Sequence, residues 1–174
     1  MNGQPFNNWS NFFELTGAAG ATLVGLLFVV VTLNSDLSAT RRMDIARASM
    51  TPALYSFAGA LVQGMVALVP WPSNWPAGVI FIAMGIVGAI YRIHAIWVRK
   101  QIHLKAIQGP IDWIFHNLIS VAASFILIAG GAGLINGAAF APFAVASSST
   151  LLLVSGIYRT WGQTLALIGT GEKT

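Results

Sequence analysis

The chain has 174 residues, of which 56% are hydrophobic and only 8% charged, with a formal net charge of +4 and no cysteine. Soluble domains carry about a quarter of their residues charged, so too little polar material is present to coat a water-facing surface. The absence of cysteine excludes disulfides, thiolate metal sites, covalently attached c-type haem and a cysteine nucleophile. The positive charge does not indicate nucleic acid, because the basic residues stand at the ends of apolar runs rather than on a polar face.

The first apolar run spans Phe12 to Leu33. It is too long for a signal-peptide core and has no basic flank or cleavage site. Asn11, with Glu14 three residues on, resembles a capping box, and a carboxylate suits the positive end of a helix. Glu14, Gly17, Ala18, Ala21, Gly25, Phe28 and Thr32 follow 3- or 4-residue steps and so share a helix face. Two readings fit that face. In one, Gly17, Ala21 and Gly25 form a small-residue ladder for close helix packing. In the other, several copies assemble with this helix inward; Glu14 then forms an acidic ring that favours cations and Phe28 an apolar constriction.

Arg41, Arg42, Asp44 and Arg47 separate this run from the second, Thr51 to Pro70. The sequence WPSNWP at 71–76 reads as a tight hairpin with prolines at helix boundaries. The third run, Ala77 to Val98, carries Arg92 and His94, and is followed by Arg99, Lys100, His103 and Lys105. The fourth, Ile111 to Ile135, carries Asp112 and His116 and ends in the glycine-rich stretch 129–139. Such glycines permit close contact or a broken helix end. The fifth, Pro142 to Trp161, contains a polar step from Ser147 to Thr150, whose hydroxyls suit bonds across helices or to their own carbonyls.

Each run is near the ~20 residues that cross a ~30 Å hydrocarbon layer as a helix, and none alternates as a barrel strand does. The expectation is an all-α integral membrane protein with five transmembrane helices in a single membrane domain over residues 1–174. If all five cross, the nine Lys and Arg residues fall on one side. The positive-inside rule makes that side cytoplasmic and the topology N-out/C-in. Trp9, Trp71 and Trp75 then mark the outer interface, and Trp97, Trp113 and Trp161 the inner one.

Ile-Tyr-Arg occurs at 90–92 and again at 157–159, and Asp44, Ser56 and Phe57 match Asp112, Ser124 and Phe125. Either helices two and three repeat helices four and five in parallel, or apolar segments drawn from few residue types coincide. The same spacing suggests structural ion pairs, Asp44 with Arg92 and Asp112 with Arg159, or snorkelling of Arg92 to the cytoplasmic headgroups. His94 and His116 lie at matched depth near the cytoplasmic ends of consecutive helices, a placement that suits a haem, a metal or a quinone, or else two interfacial histidines. No lysine is placed mid-membrane for a Schiff base, and no nucleophile–histidine–carboxylate relay or phosphate loop is recognisable. The expectation is therefore not an enzyme and requires no cofactor. It is a multi-pass protein of the inner membrane, a homo-oligomer in lipid, and first of all a cation-conducting pore lined by the first helix. An electron-transfer subunit using His94 and His116, and a non-catalytic subunit of a larger complex, are the alternatives.

Overall fold

The computed structural model describes residues 5–33, 51–101 and 110–170, and among these no strand occurs. The apolar runs become five helices: α1 (Ser10–Leu33), α2 (Thr51–Leu68), α3 (Asn74–Gln101), α4 (Pro110–Ile135) and α5 (Ala141–Thr170). Each contains a stretch long and apolar enough to span a bilayer. The large apolar side chains on the outside support the same conclusion: Leu15, Phe28, Val87, Ile90, Leu118 and Phe143 are all more than half exposed. In water such a surface would aggregate, whereas hydrocarbon solvates it. The chain is a multi-pass helical membrane protein.

α1 starts earlier than the sequence suggests. A 3₁₀ turn at Asn7–Trp9 runs straight into it, with Ser10 already helical at φ −53° and ψ −51°. Asn11 therefore lies inside the helix, and the expected capping box does not form. The apolar stretch consequently begins at Asn7, which places Glu14 ~10 Å along the helix axis at 1.5 Å per residue.

The helices lie in the lateral order α1, α2, α5, α4, α3. α2 and α3 are joined only by residues 69–73 yet touch little. Small residues let the main seams close. At the α3–α4 crossing, a Cβ added to Gly131 would fall 2.6 Å from the Gly78 carbonyl oxygen, and one added to Gly78 would fall 2.7 Å from the Gly131 oxygen. At the α1–α2 crossing, a Cβ on Gly20 would meet the Phe57 oxygen at 2.8 Å, and one on Gly64 the Phe13 oxygen at 2.8 Å. Only glycine permits backbones this near. The glycine-rich stretch is thus unbroken helix through Ile135. It ends in a Schellman turn, with Gly137 at φ 67° and bonds from Gly137 N to Leu134 O and from Ala138 N to Gly133 O.

Residues 5–9, 69–73 and 136–140 connect or precede helices at one end of the bundle, the hairpin end. Aromatic rings close it. Phe6 is buried and meets Phe13 and Phe81 edge-on at 5.2 and 5.9 Å, and Trp9 meets Phe143 at 4.6 Å. Trp71 caps the adjoining turn by donating from Nε1 to the Val66 oxygen at 2.8 Å.

Candidate functional site: buried polar groups and the free face of α1

Inside the bundle the packing is not wholly apolar. Gln63 of α2 is 1% exposed and meets two serines of α5. Ser149 Oγ donates to Gln63 Oε1 at 2.6 Å, and Gln63 Nε2 donates to Ser148 Oγ at 3.4 Å. Ser148 Oγ in turn donates to the Ala123 oxygen of α4 at 2.9 Å. This node joins three helices, and it satisfies an amide that would otherwise cost several kcal/mol in hydrocarbon. The polar step at 147–150 uses both options open to it, since Ser148 and Ser149 bond across helices and Thr150 bonds its own helix at Ala146.

A second polar level lies toward the basic end, the end that carries Arg92 and Arg159. Arg92 Nη1 donates to Ser124 Oγ at 2.8 Å. A Cβ on Gly88 would come within 3.1 Å of both groups, so the arginine folds back along α3 toward the hairpin end instead of snorkelling away from it. Ser124 Oγ donates to the Ser120 oxygen at 3.2 Å, and Ser120 Oγ to Ser155 Oγ of α5 at 3.3 Å. Tyr55 of α2 stacks on Tyr91 of α3 at the same level. Arg159 of α5 is half-buried, one turn beyond Ser155.

The face of α1 is divided between two surroundings. Gly17 turns to α2, where Gly64 and Leu61 are its neighbours. Glu14, Ala18, Ala21, Gly25 and Phe28 are exposed, and nothing lies within 4 Å of a Cβ added at Gly25. The structure therefore separates Gly17 from the other candidate pore residues. Asp44 lies outside the described residues, as do the side chains of Asp112 and His116, so the two expected ion pairs and the histidine pair cannot be placed. His94 is exposed on α3. Among the described residues no group of three or more His, Cys, Asp or Glu side chains is disposed to hold a metal ion.

Gln63 is the buried group the sequence reading passed over. It is the one amide in an otherwise apolar run, and that isolation is itself the available signal, because polar residues inside spans face partners rather than lipid. Comparisons of the chain with protein-family models, curated proteins and solved structures find no match.

Proposed function

We propose that several copies of the chain assemble through the exposed face of α1 and enclose a cation-conducting pore. The observation that carries this reading is the line Glu14, Ala18, Ala21, Gly25. It begins with an exposed carboxylate inside an apolar span and continues as small residues to which the chain's own packing assigns no neighbour at Gly25. A helix surface in contact only with lipid gains from bulky apolar side chains, and an ionised carboxylate there is costly. Water along a central axis relieves both conditions. Glu14 would then concentrate cations at the mouth, and Phe28, 61% exposed, would narrow the far part of the path. Gly17 serves the α1–α2 seam and does not line the path.

The test is ion flux in proteoliposomes for wild type and Glu14→Gln, together with the mass of the protein in detergent. The expected result is a symmetric oligomer whose cation flux or selectivity falls on neutralisation of Glu14. A monomer without flux across a range of voltage, tension and pH would overturn the reading. Flux indifferent to Glu14→Gln would move the path away from α1.

The membrane orientation in this reading is N-out/C-in, supported by the one-sided placement of Lys and Arg. A cysteine at Ser73 should react with an impermeant reagent from outside, and one at Gln101 should not. The reverse pattern would invert the topology. The helix-pair repeat belongs to the same reading. Ser56 and Ser124, matched in the repeat, each donate to the carbonyl one turn back, at Pro52 and Ser120, both at 3.2 Å, but Thr22, Ser149 and Thr150 make the same bond, so it does not argue for the repeat. The repeat is opposed by packing, since α4 and α5 pack extensively whereas α2 and α3 do not.

A further inference from the structure

The second polar level invites a ligand of its own, independent of the pore reading. α2 packs on α1 and α5, and α3 on α4, so the groove, or cleft, between the two helices of the short hairpin is sparsely packed. Tyr55 and Tyr91 span it, their ring centroids 4.1 Å apart and planes inclined by 24°. Tyr55 is half exposed, so the cleft opens on the surface of the bundle. Val62 lies seven residues after Tyr55, and Val87 four residues before Tyr91, which puts them on the same helix faces as the tyrosines. Both valines are exposed and extend the cleft toward the hairpin end as an apolar track.

The polar side of this cleft is cationic. Arg92 is half-buried and held by Ser124 at 2.8 Å. The Ser120–Ser155 bond ties α5 to α4, and Arg159 follows Ser155 by about one turn. Arg92, Ser124, Ser120 and Ser155 are linked by successive hydrogen bonds that end one turn from Arg159, so the two arginines approach one another across α4 at the level of the tyrosine pair. Arg159 also has a contact of its own, and the site does not require it to be free. Two cations brought together within a membrane span repel, and an anion between them reverses the sign of the interaction. Guanidinium groups match phosphate with paired hydrogen bonds, and a tyrosine hydroxyl can add another.

We propose that the cleft between α2 and α3 binds the phosphate of an anionic membrane lipid, with Arg92 and Arg159 as the clamp and the Tyr55–Tyr91 stack as one wall. The apolar track along Val62 and Val87 favours a lipid over a soluble anion, because it offers an acyl chain a place beside the headgroup site. A zwitterionic lipid carries the same phosphate, but its choline would be brought close to the two arginines.

The experiment uses the full chain in detergent, with lipid retention read by native mass spectrometry and thermal unfolding followed by circular dichroism. Phosphatidylglycerol, phosphatidylcholine and inorganic phosphate are added separately. Wild type should retain phosphatidylglycerol in several-fold preference to phosphatidylcholine, and phosphatidylglycerol should raise the unfolding temperature. The Arg92→Gln/Arg159→Gln protein should lose that preference and most of the shift. Arg92→Lys, which keeps the charge and guards against a folding failure of the double variant, should retain part of both. Equal retention of the two lipids by wild type would overturn the proposal, as would an undiminished preference in a folded double variant. Stabilisation by inorganic phosphate equal to that by phosphatidylglycerol would also overturn it, by showing that the site takes a free anion.

Discussion

Gly131 and Gly25 are the same residue in similar runs of small residues, and the bundle treats them in opposite ways. At Gly131 a neighbouring backbone fills the space that a side chain would need, whereas at Gly25 the corresponding space is open. The α3–α4 seam is therefore completed within one chain. The outer face of α1 has the composition of a seam without an intramolecular partner. Small residues in a membrane helix state that a backbone or a path can come close; they do not state whether the neighbour belongs to the same molecule.

The contrast can be broken most directly at the closed seam. Gly131→Leu would drive a side chain into a carbonyl oxygen already 2.6 Å from the added Cβ. The expected loss is about 3 kcal/mol, at the upper end of overpacking, visible as a large fall in unfolding temperature or failure to accumulate. A near-neutral result would mean that α3 and α4 can separate cheaply, and the seam would not be the fixed element described above. Gln63→Leu should have an intermediate effect. It removes the acceptor for Ser149 and the donor to Ser148, and interhelical bonds of this kind contribute about 0.6 to 1.7 kcal/mol each when cut. Ser149→Ala should cost less than Gln63→Leu, and the double variant less than the sum, because the two groups share one bond. Additive losses would show that the node is not a unit. Gly25→Leu should have the smallest effect on the stability of the single chain, within about 0.5 kcal/mol. Its consequence should instead appear in the detergent mass, where the oligomer dissociates or changes size. A loss of chain stability comparable with that of Gly131→Leu would erase the difference between the two faces.

The five spans were legible because hydrocarbon imposes a length and a composition that few sequences meet by accident. Their ends were less so. Asn7 and Asn8 are polar and look like a loop, yet Phe6 and Trp9 around them are anchored by rings of α1, α3 and α5, which draws the turn into the helix. The site was legible only in kind. The 3- and 4-residue steps put Glu14, Ala18, Ala21 and Gly25 on one face, and all four are exposed, but the step rule could not tell that Gly17 turns to α2. That depends on which helix is adjacent, and a periodic pattern specifies a face without naming what it meets. Arg92 was singled out as a charge in an apolar run, while its partner Ser124 is a residue type too common in spans to be recognised beforehand. Gln63 was missed for the opposite reason: it belongs to no motif, and its importance arises from Ser148 and Ser149, which lie far away in the chain and adjacent in space.

The separation of α2 from α3 has a consequence for the order of assembly. A chain enters the membrane from its N-terminus as it is made, and these two helices, with only residues 69–73 between them, arrive nearly together. Neither is the other's main neighbour, for apart from the Tyr55–Tyr91 stack α2 rests on α1 and α5, and α3 on α4. A newly inserted hairpin thus waits with Gly78, Gly85 and Gln63 uncovered until α4 and α5 appear. Gly78 then receives Gly131, Gly85 receives Ile128, and Gln63 receives Ser148 and Ser149. α4 and α5, made after them, thereby take up the surfaces the earlier pair leaves open, and a chain stopped after α3 would carry two unfinished surfaces into the bilayer.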